Sequence, residues 1–112
     1  MRRKFIHTAS FVRSWKQMNL GDRELELLER LLLIDPEAGD VIGDLGGARK
    51  IRIPLDGRGK SGGGRVIYVD VVVHHEIYLL LAYPKNVQTN LTPSQEKILR
   101  HLVEEIKKED TE

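Results

Sequence analysis

The sequence predicts a single α+β domain, residues 1–112, with an antiparallel sheet packed on helices in the order β-α-α-β-β-β-α. Three observations predict it. Between Arg49 and Tyr83, three segments rich in Val, Ile and Leu follow one another with no helical period between them. Consecutive strands of that kind pair antiparallel, and their sheet is expected to bury one face and leave the other open. Two helical patterns precede them and a third follows. The balance of 40% hydrophobic and 31% charged residues is that of a globular chain, and 112 residues suffice for one modest core.

Lys4–His7 is short and partly apolar and suits a first strand. Thr8 or Ser10 can cap a helix through Phe11, Val12, Trp15 and Met18. Trp15, the single tryptophan, is expected in the core. Gly21-Asp22 ends that helix and starts the next, Arg23–Ile34. There Leu25, Leu28 and Leu32 recur at helical spacing, with acidic residues mostly opposite. Pro36 stops it, because the residue before a proline is pushed out of the helical region. Asp35–Leu45 then reads as a loop.

Arg49–Leu55 alternates, with Ile51, Ile53 and Leu55 on one face and Lys50 and Arg52 on the other. Val66–Val73 is a β-branched run broken by Tyr68 and Asp70. His74-His75-Glu76 makes a tight turn, and Ile77–Tyr83 is the next strand. Asn90-Leu91-Thr92-Pro93-Ser94-Gln95 is a helix start, with Thr92 as cap, Pro93 in first position and Gln95 as capping-box partner. Ile98, Leu99, Leu102, Val103 and Ile106 supply that helix's apolar stripe. From about residue 107 the tail is acidic and expected to fray.

The charge is not evenly spread. The chain carries +1 in total, yet Leu45–Arg65 alone carries +5, from Arg49, Lys50, Arg52, Arg58, Lys60 and Arg65 against Asp56. Five glycines lie between residues 57 and 64. A basic strand running into a glycine loop is the footprint of a phosphate-rich partner, although a solvated hairpin loop has the same composition. Gly59-Lys60-Ser61 has the ending of a P-loop, but its frame fails, since the first glycine falls at Pro54. Ser61 lacks a nucleophile-elbow setting. There is no cysteine, and among the histidines only His101 has a carboxylate at helical spacing, Glu105, so a metal centre finds no ligand set. Phe5-Ile6 gives way to His7-Thr8 too soon for a signal peptide, and Ile77–Tyr83 is too short to span a bilayer. A cytoplasmic protein without a membrane anchor is expected.

RNA brings its own nucleophile, the 2′-OH, so its cleavage needs only proton transfer and cations for the crowded phosphate. Arg58, Lys60, Arg65, Tyr83 and Lys85 are the candidates. Tyr83 and Lys85 stand two apart at the end of the last strand and are expected beside Arg65. By parity Arg65 shares a face with Ile67 and Val69, and a bulge at Gly62–Gly64 would be needed to turn it elsewhere.

Five stretches together resemble the RelE/HigB superfamily of toxin–antitoxin toxins, closest to its HigB-like branch. They are Gly39-Asp40-Val41-Ile42; Leu45-Gly46-Gly47-Ala48-Arg49-Lys50-Ile51-Arg52; Arg58-Gly59-Lys60-Ser61-Gly62-Gly63-Gly64-Arg65-Val66-Ile67-Tyr68; Leu80-Leu81-Ala82-Tyr83-Pro84-Lys85-Asn86; and Asn90-Leu91-Thr92. The resemblance spans roughly residues 5 to 106. It implies a cofactor-free endoribonuclease that cuts mRNA in the ribosomal A site. It also implies a cognate antitoxin, often with a helix-turn-helix DNA-binding domain. On the matching positions it implies RNA binding by Arg49, Lys50, Arg52 and Arg58, and catalysis by Lys60, Arg65, Tyr83 and Lys85. A non-catalytic RNA- or ribosome-binding module is the alternative.

Overall fold

The structure is a computed structural model and describes residues 2–54 and 63–108. Its elements are β1 (Lys4–His7), α1 (Ala9–Gln17), α2 (Asp22–Ile34), β2 (Asp40–Val41), β3 (Arg49–Ile53), β4 (Gly64–Val71), β5 (Glu76–Pro84) and α3 (Pro93–Lys108). They form one five-stranded sheet, in the order β1-β5-β4-β3-β2. The expected meander of β3, β4 and β5 is antiparallel throughout. Two edges extend it. β2, inside the stretch read as a loop, pairs antiparallel with β3, and β1 lies parallel to β5. The sheet is therefore mixed, and only its four later strands are antiparallel.

Neither face is left open. Phe11 and Trp15 of α1, Met18 just after it, and Leu28 and Leu32 of α2 pack on Ile51, Ile53, Val66, Tyr68, Ile77, Leu79 and Ala82. Leu99, Val103 and Ile106 of α3 pack on Ile67, Val69, Val71, Leu80 and Tyr83, joined by Leu45 and Ala48. The physical reason lies in β4, which is apolar on both alternating sets of positions, as a strand buried on both faces must be. Of its two charged residues, Arg65 and Asp70, Asp70 accepts from Arg3 Nε at 2.9 Å, with both of those paired side chains largely buried. The apolar run ends earlier than expected. A 3-10 turn takes Val72–His74, leaving Val72 and Val73 exposed, and His75 closes it in the left-handed region (φ 56°).

The helix ends follow their local chemistry. Thr8 Oγ1 accepts from the Phe11 N–H, and the Glu24 carboxylate accepts from the Gly21 N–H at 2.8 Å. At α3, Thr92 and Gln95 bond reciprocally, side chain to backbone, at 3.1 and 3.0 Å. This is the expected capping box.

β2 is held by one buried phenol. Tyr68 Oη donates to the Pro36 carbonyl at 2.8 Å and accepts from the Gly39 N–H at 3.0 Å. Gly39 must be glycine for lack of room, because a Cβ there would lie 2.8 Å from the Lys50 carbonyl oxygen and 3.0 Å from the Tyr68 ring. Tyr68→Phe strands both backbone groups. It is expected to lower unfolding free energy by about 1–3 kcal/mol in urea titration, with helix content unchanged.

Candidate functional site

Strand register assembles the site. Arg65 on β4 lies opposite Arg52 on β3 and opposite Tyr83 on β5. Cross-strand partners share a face, so these three side chains form one row across the sheet. The next row toward the sheet interior is Lys50, Ile67 and Leu81. Both rows belong to the face that α3 covers, since Ile67 and Tyr83 pack in the α3 core. Arg65 thus shares a face with Ile67 and Val69, as parity requires, and no bulge turns it away.

A bulge does exist, but in β5. Ile67 pairs with Leu81 and the next residue, Tyr68, pairs with Leu79, so Leu80 has no partner in the register. The extra residue re-phases everything after it. Ile77 and Leu79 face α1 and α2, but Ala82, not Leu81 or Tyr83, continues that set. Without the bulge, Tyr83 would fall with Leu79 on the opposite face from Arg65.

Hydroxyls on and before α1 hold the bulged segment. β1 flanks β5 only as far as Leu79, its last register partner. Beyond that point the backbone of β5 needs other partners. Thr8 Oγ1 donates to the Leu79 carbonyl at 2.8 Å, and Ser10 Oγ to the Leu80 carbonyl at 2.7 Å. Ser14 Oγ, itself buried, accepts from the Ala82 N–H at 3.0 Å and donates to the Phe11 carbonyl at 3.1 Å. None of these was singled out as a site residue from sequence. The one signal was Ser14, a polar residue within the stripe of Phe11, Trp15 and Met18.

Two groups in the row are unusual for buried polar atoms. Arg65 is 8% exposed, its guanidinium donates to the Gly64 carbonyl at 3.0 Å, and no carboxylate pairs with it among the described residues. Tyr83 is 3% exposed, and its hydroxyl has no hydrogen-bond partner among the described residues. Burial pushes the Tyr83 phenol above its ordinary pKa of 10.0, with the Arg65 cation pulling weakly the other way. At neutral pH Tyr83 is therefore a protonated donor. An unpaired buried cation beside an unsatisfied buried donor is costly to folding, and such pairs mark places prepared for an anion.

The other candidates fall into three groups. Arg52 is exposed at the outer end of the row, and Lys50 reaches Asn90 Oδ1 at 3.5 Å. Lys85 follows the Gly64–Pro84 pair, and its N–H donates to the Gly63 carbonyl at 2.9 Å, so the ladder continues past Pro84 toward the glycine loop. Arg49 stands apart. It pairs with Tyr68 in the register, on the α1/α2 face, and its guanidinium bonds the Gly39 carbonyl at 2.8 Å and the Glu37 carbonyl at 3.3 Å. Its charge is spent on the β2 connection, away from the row. Arg58 and Lys60 lie outside the described residues.

Comparison with known proteins agrees with this architecture. Residues 3–112 match the family described as the RelE toxin of the RelE / RelB toxin–antitoxin system. Among solved structures, the chain is similar to a mutant of the E. coli toxin RelE in the free state. The TM-score is 0.56 at 17% sequence identity, covering 80% of this chain and 90% of that one.

Proposed function

We propose that this chain, which belongs to the RelE toxin family of RelE / RelB toxin–antitoxin systems, is an endoribonuclease that cuts mRNA on the ribosome by attack of the RNA's own 2′-OH. The observation that carries this reading is the row Arg52–Arg65–Tyr83, with Arg65 buried and free of any described carboxylate and the Tyr83 hydroxyl unsatisfied beside it. A scissile phosphate in that row would satisfy both groups at once.

The chemistry then divides among the residues. The 2′-oxygen attacks the neighbouring phosphorus as its proton leaves, the bond to the 5′-oxygen breaks, and that oxygen takes up a proton. The products are a 2′,3′-cyclic phosphate and a 5′-hydroxyl. Arg65 offers two N–H donors to the non-bridging oxygens, where charge grows in the transition state. Tyr83, protonated at neutral pH, suits donation to the departing oxygen rather than removal of the 2′-OH proton. That proton then goes to a lysine, Lys60 or Lys85. Arg52 and Arg58 hold flanking phosphates, and Lys50 binds the RNA beside them. Arg49 contributes by fixing the β2 connection. The partner that silences the toxin is a cognate antitoxin, which we place among those with a helix-turn-helix DNA-binding domain.

The test uses ribosomes programmed with one message in two forms, all-ribose and with a single 2′-deoxynucleotide 5′ to the mapped cut. Cutting of the first form only, and only when ribosomes are present, is expected. Cutting of the deoxy form at the same bond would refute 2′-OH attack. Ribosome binding with no cut transcripts would favour a non-catalytic binding module instead.

A further inference from the structure

Beside the phosphate row lies a second polar feature. Ile42, Lys50, Asn90, Leu91 and Glu96 line an open hollow of about 230 Å³. Lys50 ties it to the site, standing two residues along β3 from Arg52 on the same face. Two residues of strand are about 6.6 Å, comparable to one step along an extended single strand of RNA. A chain with one phosphate at Arg52 and Arg65 therefore sets its neighbouring nucleotide over the hollow.

The lining suits a base better than a phosphate. Leu91 and Ile42, both half-buried, give it an apolar side. Glu96 is half-buried in the first turn of α3, and among the described residues its carboxylate has no hydrogen bond or ion pair. A carboxylate there repels phosphate and can only accept hydrogen bonds, whereas the Lys50 ammonium can only donate. Asn90 carries both an acceptor and a donor. Acceptor and donor side by side are what the edge of an unstacked base requires. Adenine and cytosine present an amino group next to a ring nitrogen acceptor, and guanine presents two adjacent donors. Uracil's single edge N–H lies between two carbonyls, which would confront the second carboxylate oxygen.

We propose that the Lys50–Asn90–Glu96 hollow is a base-reading subsite, which takes the base of the nucleotide next to the scissile phosphate and selects one bearing an exocyclic amino group over uracil. This rests on the ribonuclease reading above.

The experiment measures cutting of ribosome-bound messages that differ in one base at each position flanking the cut. Wild type is expected to cut amino-bearing messages about 10-fold or more faster than uracil at one of these positions, and Glu96→Gln to bring that ratio within about 2-fold. Cutting of the uracil message by Glu96→Gln should not fall, because glutamine can turn its amide donor toward the uracil carbonyl; mere structural damage would lower all rates together. Asn90→Ala should narrow the same ratio. An unbiased wild type, or a Glu96→Gln profile equal to a biased wild type, overturns the subsite while leaving the ribonuclease reading intact. Absence of any cutting by wild type overturns that reading, and the subsite with it.

Discussion

Arg65→Ala is expected to lower single-turnover cleavage of ribosome-bound mRNA by about 10²–10³-fold, the usual loss when one transition-state donor is removed. The protein should remain folded. Arg65 is buried without a described carboxylate partner, and its one hydrogen bond goes to the adjacent Gly64 carbonyl. Removing it leaves no stranded counter-ion, so its unfolding free energy should stay within about 1 kcal/mol of wild type. Arg65→Lys separates charge from geometry. The lysine keeps the cation but cannot present two parallel donors to two phosphate oxygens. It should cut faster than Arg65→Ala yet about 10-fold or more below wild type. Rates for Arg65→Ala within 3-fold of wild type would remove Arg65 from the reaction. Equal rates for Arg65→Lys and wild type would reduce its role to that of a point charge.

The parts of this architecture legible in the sequence are those set by local periodicity and capping. The α2 stripe of Leu25, Leu28 and Leu32, the Thr92–Gln95 capping box and the alternation of Ile51 with Ile53 each depend on residues within a few positions of one another. Non-local features were not legible. Lys4–His7 has too little pattern to say which strand it joins or in which direction, and its parallel seat beside β5 follows from the completed sheet. The double burial of β4 could have been read, since a run interrupted only by Tyr68 and Asp70 is too apolar for a strand with one wet face. Within the candidate site, β3 parity already separates Arg49 from Lys50 and Arg52, but the family resemblance groups all three as one basic strand. The bulge at Leu80 has no sequence mark. Leu79, Leu80 and Leu81 are chemically alike, and only the pairing with β4 tells which of them is extra. That single unmarked residue decides whether Tyr83 joins Arg65 or lies behind the sheet.

Tyr83→Phe should therefore separate stability from activity. The Tyr83 hydroxyl is buried with no described partner, so folding loses its hydration and regains nothing among those residues. Phenylalanine keeps the ring in the α3 core and discards the unsatisfied atom. The variant should be more stable by about 1 kcal/mol in urea unfolding, while cleavage falls about 10²-fold if the phenol supplies the departing oxygen's proton. The pH dependence checks the same atom from the folding side. Burial raises the Tyr83 pKa above 10.0 in the folded chain. The stabilisation tied to its protonated form is thus fully present below pH 10, and it is lost as pH rises from there through the folded value, because the unfolded phenol ionises first. Tyr68, also raised by burial, contributes in the same direction in both proteins. The stability of Tyr83→Phe should hence fall less steeply above pH 10 than that of wild type, but not become flat. Lower stability at neutral pH with unchanged cleavage would mean that the hydroxyl is satisfied within the fold, and the proton donor would then have to be sought among the lysines.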